Sequence, residues 1–143
     1  VLTEHGHTDT AYRLLLQDTN PSWLYAIKKG ATSIWETWDG IRPDGTVHDS
    51  MNHYAYGAIC GWLLDSVCGI RLKDGKLTIR PYPHPSLGYA KARWNSPVGL
   101  IESEWRYEGS KLHLRVQTPI RAEIQWPDGR MEAVSNGVHS LIA

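Results

Sequence analysis

A mixed α and β protein is predicted, with helices in the first half and a small antiparallel β-sandwich in the second. Three observations carry that expectation. Apolar residues recur at spacings of three and four as far as Gly69, and beyond it they alternate with a period of two. The second half is also punctuated by Asp-Gly and Asn-Gly dipeptides, which reach the positive φ angles of tight hairpins. The boundary is therefore set between residues 1–69 and 70–143. A chain of 143 residues suits one ordinary domain or two very small ones.

In the first half, Thr8 or Asp9 stands where it can cap a short helix carrying Ala11, Leu14 and Leu15 on one face. Asn20 followed by Pro21 reads as an N-cap and first-turn pair for a helix over 22–29, stopped by Gly30. Residues 30–40, with the turn Pro43-Asp44-Gly45 behind them, read as neither helix nor strand. The longest helix is expected over 52–67. There Tyr56, Ile59, Leu63 and Val67 form one stripe and Gly69 supplies the stop. Ala55, Trp62 and Leu64 lie off that stripe, so the helix needs neighbours on several faces. The first 69 residues hardly provide them, and the helical half reads as unfinished.

In the second half Leu77 and Ile79 alternate with polar residues, as do Leu112, Leu114 and Val116. Ile120, Ala122, Ile124 and Trp126 follow the same pattern, which turns Trp126 toward the core beside Ile124. The breaks are Asp74-Gly75, Glu108-Gly109, Pro127-Asp128-Gly129 and Asn136-Gly137. Short strands at such intervals predict a sandwich, with the run Pro81-Tyr-Pro-His-Pro85 as an extended connection.

Lys plus Arg number 15 and Asp plus Glu 15, so the net charge is zero. That balance argues against a nucleic-acid or anionic-membrane partner, both of which need clustered positive charge. No apolar run approaches the roughly 18 residues of a membrane span, and no signal leader opens the chain. The composition is that of a soluble globular protein, and its compartment stays open. Because Val1 is not Met, the chain is expected to be a processed product or a piece of something longer. Phe is absent, while Trp and Tyr number seven each, so every aromatic ring has a polar handle. Such rings suit the half-apolar face of a sugar, and they equally suit a core that lacks Phe. Cys60 and Cys68 are separated by about 12 Å along one helix at ~1.5 Å per residue, too far to pair. Both are expected to be small buried apolar side chains.

The sharpest chemical signal is Ile34-Trp35-Glu36-Thr37-Trp38-Asp39-Gly40. Glu36 lies between two indoles, with Asp39 three positions on. A carboxylate dehydrated by indole faces gains the proton affinity that acid-base work near neutral pH needs. Glycosidases flank the scissile bond with two carboxyls in such surroundings. The same spacing also fits a Glu that caps a turn or pairs with Arg42 while the rings pack in the core. A second constellation, Ser50-Met-Asn-His-Tyr-Ala-Tyr-Gly57, sets His53 in the first turn of the long helix, facing any ligand held above it. His5-Gly-His7-Thr-Asp9 has metal-like spacing without the further converging ligands a metal site needs. Neither cysteine stands by an evident base.

Taken together, Thr10-Ala-Tyr-Arg-Leu-Leu, Asn20-Pro-Ser-Trp-Leu-Tyr25, Gly30-Ala-Thr-Ser-Ile-Trp-Glu-Thr-Trp-Asp39 and Met51-Asn-His-Tyr-Ala-Tyr-Gly57 resemble bacterial α-L-rhamnosidases of glycoside hydrolase family 78. Ile79-Arg-Pro81 and Pro97-Val-Gly-Leu-Ile-Glu-Ser-Glu-Trp105 resemble that family's C-terminal sandwich. The resemblance spans essentially the whole chain and covers only the family's C-terminal portion. It implies the last helices of an (α/α)6 barrel over 1–69, followed by the sandwich over 70–143. The implied activity is removal of terminal α-L-rhamnose from a glycoside or polysaccharide with inversion, with no cofactor and no metal.

By the same resemblance, Glu36 is the general base, His53 contacts the sugar, and Trp35 and Trp38 wall the pocket. The family's general acid lies upstream, in a part of the barrel this sequence does not contain, so the chain alone is expected to hydrolyse little or nothing. Its implied partner is the upstream remainder of the barrel. A fragment stable by itself is expected to cover its barrel edge by forming a homo-oligomer. Two other readings are a carbohydrate-binding module, which needs Trp94, Trp105 and Trp126 exposed on one sheet face, and a purely structural accessory domain.

Overall fold

A computed structural model describes residues 1–143. The chain is mixed α and β, with few helices and two four-stranded sheets, and it divides into two compact units, Val1–Gly61 and Trp62–Ala143. No helix is long and apolar enough to cross a membrane.

In the first unit a 3-10 turn, Thr3–His5, leads into α1 (Thr8–Leu16). His7 holds the N-cap position without a side-chain bond, so neither Thr8 nor Asp9 caps α1. Asp9 instead lies in the first turn, where a carboxylate is favoured by the helix dipole. Ala11 and Tyr12 form the buried face, and Leu14 is 47% exposed. Tyr12, 1% exposed, takes the inward position the apolar spacing assigned to the leucine. In α2 (Trp23–Lys28) the cap is Ser22, whose hydroxyl accepts the Tyr25 N–H at 3.0 Å. Asn20 and Pro21, joined by a cis bond, lie outside the helix. Gly30 ends it with φ +86°, and the Ala31 N–H turns back to the Ala26 carbonyl at 3.0 Å.

The helix expected over 52–67 is shorter. It comprises α3 (Ala58–Trp62), which runs on into a π-helical turn, Leu63–Val67. Residues 52–57 are turns because side chains satisfy their backbone donors. The Ser50 hydroxyl accepts the Asn52 N–H at 3.2 Å, and His53 Nδ1 accepts the Ala55 N–H at 3.1 Å. Gly57 and Gly61 weaken helix propagation further.

The second unit holds eight strands: β1 (Ile70–Lys73), β2 (Lys76–Ile79), β3 (Tyr89–Ser96), β4 (Gly99–Glu108), β5 (Lys111–Thr118), β6 (Ala122–Gln125), β7 (Met131–Val134) and β8 (Gly137–Ile142). One sheet runs β1-β2-β6-β7 and the other β3-β4-β5-β8. Asp74 and Gly75, with φ of +50° and +74°, join the paired Lys73 and Lys76 in a two-residue turn. The pairing is antiparallel except for β2 and β6, which run parallel with Leu77 opposite Ala122 and Ile79 opposite Ile124. Parallel neighbours need a long crossover, and here the crossover includes three strands of the other sheet. Asn136-Gly137 is not a hairpin turn, because β7 and β8 belong to different sheets and the dipeptide carries the chain between them. The 81–85 run does form an irregular connection from β2 toward β3.

Alternate residues of each sheet are buried, with Ile79, Ile101, Trp105, Val116 and Ile124 at 0% exposure. Trp105 Nε1–H donates to the Val67 carbonyl at 2.7 Å, and the Ser103 hydroxyl donates to the Cys68 carbonyl at 2.6 Å. These bonds satisfy carbonyls left open where the π-helical turn ends. Trp126 is buried as its alternation indicated. Trp94 is opposite Ile101 and so shares the inward face with Trp105. The sheets therefore present no tryptophan platform for a sugar.

Both cysteines are free, but only Cys68 is buried; Cys60 is exposed, because α3 turns it toward solvent. Desolvation pushes the Cys68 thiol up to about 11. Iodoacetamide at mildly alkaline pH is expected to alkylate Cys60 and to spare Cys68 until the chain is unfolded, as read by peptide mass. Native-state alkylation of Cys68 would show that its burial is not maintained.

Candidate functional site

The predicted site residues lie on the irregular segment between α2 and α3, within the first unit. The turn at Pro43-Asp44-Gly45 folds that segment back on itself. Asp44 accepts the Thr46 N–H and hydroxyl at 2.9 and 2.7 Å, and Arg42 N–H donates to the Thr46 carbonyl at 2.9 Å. Ile41 pairs with Val47 in an isolated antiparallel bridge. One arm, residues 34–40, is thereby laid along the other, residues 46–53.

Glu36 is exposed and tied to the opposite arm twice. Its N–H donates to the Ser50 carbonyl at 2.9 Å, and its Oε2 accepts the Ser50 N–H at 3.0 Å. One carboxylate oxygen is thus anchored by a fixed backbone dipole, and Oε1 has no protein partner. The flanking indoles do not enclose it. Trp35 is buried at 3% exposure, its ring under Gly40, where an added Cβ would lie 3.1 Å from the indole and 3.4 Å from Met51 Sδ. Trp38 stacks on Tyr56 at 3.7 Å between ring centroids and meets the edge of Trp23 at 5.2 Å. Trp23 Nε1–H in turn donates to the Tyr56 carbonyl at 3.2 Å. The dehydration assigned to the two indoles is therefore absent around Glu36 within this chain. Nor does Arg42 pair with Glu36, since its guanidinium faces Asp39 at 4.0 Å.

His53 lies before α3 and not in a first helical turn. It is brought to the Glu36 arm by its own N–H, which donates to the Ile34 carbonyl at 2.7 Å. Its ring stacks on Tyr54 at 4.6 Å, and Tyr54 is 86% exposed. Because Nδ1 accepts from the Ala55 N–H, the neutral ring carries its proton on Nε2, which is left to donate to a ligand. The structure thus ties Glu36 to Ser50 and the His53 backbone to Ile34, packs Trp38 against Tyr56 and Trp23, and buries Trp35 in the interior.

Four residues around the motif were not read from the sequence as parts of its surroundings: Trp23, Tyr56, His48 and Asp49. The first two meet Trp38 only through tertiary folding. The second pair had a signal, since a Pro-Asp-Gly turn returns residues 46–50 to the level of 36–40. His48 Nδ1 is 2.7 Å from Asp49 Oδ2, and its Nε2 is 2.9 Å from the Asp39 carbonyl and 3.4 Å from Asp39 Oδ1. The Asp49 carboxylate raises the His48 pKa above the ordinary value, against partial desolvation and the charge of Arg42. Asp39, three positions after Glu36, is engaged with His48 and Arg42. No group of three or more His, Cys, Asp or Glu side chains is arranged to hold a metal ion. His5 ends the 3-10 turn, His7 is the N-cap of α1 and Asp9 lies in its first turn.

The chain is 41% identical over 126 residues to an α-L-rhamnosidase of Streptomyces avermitilis, covering 83% of this chain and 12% of that protein. It is 39% identical to an α-L-rhamnosidase of Formosa agariphila, covering 94% of this chain and 15% of that protein. Among solved structures, the S. avermitilis α-L-rhamnosidase complexed with L-rhamnose superposes with a TM-score of 0.89 at 34% identity, over 99% of this chain and 16% of that one. The native Aspergillus terreus α-L-rhamnosidase superposes at 0.92 and 29% identity, over 99% of this chain and 18% of that one. The chain spans less than a fifth of each of these relatives. Residues 1–67 match the bacterial α-L-rhamnosidase six-hairpin glycosidase domain and residues 75–139 match the bacterial α-L-rhamnosidase C-terminal domain. The chain belongs to the bacterial α-L-rhamnosidase family and carries a C-terminal portion of it.

Proposed function

We propose that this chain is the C-terminal part of an inverting α-L-rhamnosidase that hydrolyses terminal α-L-rhamnosides, with Glu36 as its general base. Residues 1–69 would contribute the last helices of an (α/α)6 barrel, and residues 70–143 a C-terminal β-sandwich. The observation that carries the reading is the posture of Glu36. One oxygen is fixed by the Ser50 N–H at 3.0 Å while the other stays open, within the motif that resembles the family's base. A general base needs that combination: an oriented carboxylate with a free lone pair to take a proton from water.

In this reading Glu36 deprotonates a water that attacks the anomeric carbon from the face opposite the leaving group. A carboxylic acid on the upstream part of the barrel protonates the glycosidic oxygen. The two carboxyls of an inverting enzyme stand about 6.5–9.5 Å apart to admit that water. Asp39 does not serve as the acid, because its carboxylate is occupied by His48 and Arg42. His53 would donate from Nε2 to a sugar hydroxyl. Trp38, made rigid by Tyr56, would stack on the C–H face of the ring, and Trp35 would support the wall from behind. The outer carboxyl, and the dehydration that Glu36 lacks here, would come with the rest of the barrel. The buried positions of Trp105 and Trp126 give the carbohydrate-binding reading no corresponding support.

The stereochemistry tests the proposal. Proton NMR of the full-length enzyme acting on an aryl α-L-rhamnoside is expected to show β-L-rhamnose before mutarotation produces the α anomer. First appearance of the α anomer would exclude inversion, and no release of rhamnose would exclude the activity.

A further inference from the structure

We propose that His48 is a positioning residue of the Glu36 site, a doubly protonated imidazolium that clamps the two arms of the 36–50 loop and so keeps the Ser50 N–H on the Glu36 carboxylate. The proposal rests on Glu36 being the base. Its own ground is the identity of the two groups that the ring bridges. Nδ1 meets a carboxylate oxygen of Asp49 at 2.7 Å, and Nε2 meets the backbone carbonyl of Asp39 at 2.9 Å. Both partners only accept. A neutral imidazole has a single N–H and can satisfy one of them, whereas the imidazolium donates to both. The charged groups facing the ring are Asp49, Asp39 and, beyond Asp39, Arg42. The two carboxylates favour the proton and the guanidinium opposes it.

The clamp acts on Glu36 through the chain. Asp49 has φ +57°, a left-handed conformation that Asp adopts more readily than most residues with a Cβ, and its side chain is gripped by His48. The next residue is Ser50, whose N–H reaches Glu36 Oε2 at 3.0 Å. At the other end, the bond from Nε2 fixes Asp39, three residues after Glu36. The His48 N–H also donates to the Gly40 carbonyl at 3.0 Å, which sets the ring between the arms. Loss of the proton removes one of the two ring bonds and loosens the side-chain hold on Asp49 or Asp39, although the backbone bonds between the arms persist. The sign follows from a pKa raised in the folded state. The clamp is complete below the unfolded histidine value of about 6.5 and is lost as pH rises through the folded value. The full-length enzyme is therefore expected to show a descending alkaline limb in kcat.

The experiment is a set of pH–rate profiles for the full-length enzyme on an aryl α-L-rhamnoside, comparing wild type with His48→Gln, Asp49→Asn and Glu36→Gln. His48→Gln is expected to lower kcat by about tenfold, the scale of one charge-assisted hydrogen bond, with KM changed by less than about twofold, and to leave on the alkaline side only the limb set by the upstream general acid. Asp49→Asn keeps a residue that tolerates positive φ and removes the anion beside Nδ1, so the limb is expected to move to lower pH. Profiles of both variants that superimpose on wild type would overturn the clamp, as would a rise in KM at unchanged kcat. If Glu36→Gln abolishes turnover while the other two leave the wild-type limb in place, the clamp falls and the base stands. If Glu36→Gln leaves turnover intact, the base reading falls with everything built on it.

Discussion

Glu36→Gln in the full-length enzyme is expected to lower kcat on an aryl α-L-rhamnoside by about 10²–10⁴, the contribution of a positioned general base. The substitution is nearly isosteric. The amide oxygen of Gln can still accept the Ser50 N–H that Glu36 Oε2 accepts at 3.0 Å, so the loop keeps its closure. What disappears is the second oxygen's capacity to take a proton. Sugar binding is supplied by other groups, so KM is expected to move little, and the loss falls on kcat. An unchanged melting temperature would assign that loss to chemistry. On the proposal that Glu36 is the base and the acid lies upstream, the isolated 143-residue chain is expected to release no rhamnose above background. Turnover by Glu36→Gln at the wild-type rate would leave this segment with a structural role alone.

Gly69→Ala carries the largest expected effect on stability. Gly69 joins the π-helical turn to β1 at φ +75°, and a Cβ there would lie 2.1 Å from the Pro81 nitrogen and 2.2 Å from the Arg80 carbonyl carbon. Both neighbours are backbone and cannot rotate away. The strand behind them is locked, since Ile70 is paired with Ile79 and the Arg80 N–H donates to the Gly69 carbonyl at 2.8 Å. The left-handed conformation costs an alanine roughly 1–2 kcal/mol, and overpacking typically adds about 1–3 kcal/mol. The sum is a large part of a total stability that is commonly about 5–15 kcal/mol. Thermal unfolding followed through the buried Trp105 and Trp126 is expected to show a Tm lower by ~10 °C or more. Gly75→Ala is the control. It has a similar φ of +74° and nothing within 4 Å of the added Cβ, so only the conformational cost remains. Equal melting temperatures for the two variants would show that the contact with residues 80–81 is not rigid.

The two substitutions divide along what the residue pattern could and could not reveal. The alternation of Leu112, Leu114 and Val116 is legible because a strand turns successive side chains to opposite faces, a property of the backbone alone. The hairpin at Asp74-Gly75 is legible for the same reason, since its φ angles are a local demand on two residues. The family itself was legible through a dense motif around Glu36 and His53, and the roles proposed for those two residues rest on that motif. Its surroundings were not. Glu36 meets Ser50, Trp38 meets Tyr56 and Trp23, and His48 spans Asp39 and Asp49, all across a loop whose closure no periodicity records.

The sequence by itself determined the order of helices and strands, the turn at Pro43-Asp44-Gly45, the inward faces of the strands and the family to which the chain belongs. Each of these depends on φ preferences, side-chain spacing or residue type within a few positions. Tertiary structure decided that β2 lies parallel to β6, that Asn136-Gly137 passes between sheets, that residues 52–57 leave the helix and that Trp35 goes inside. Those outcomes weigh a local preference against partners distant along the chain. A backbone donor or an indole takes whichever partner the closed chain offers, and that partner is present only once the fold has formed.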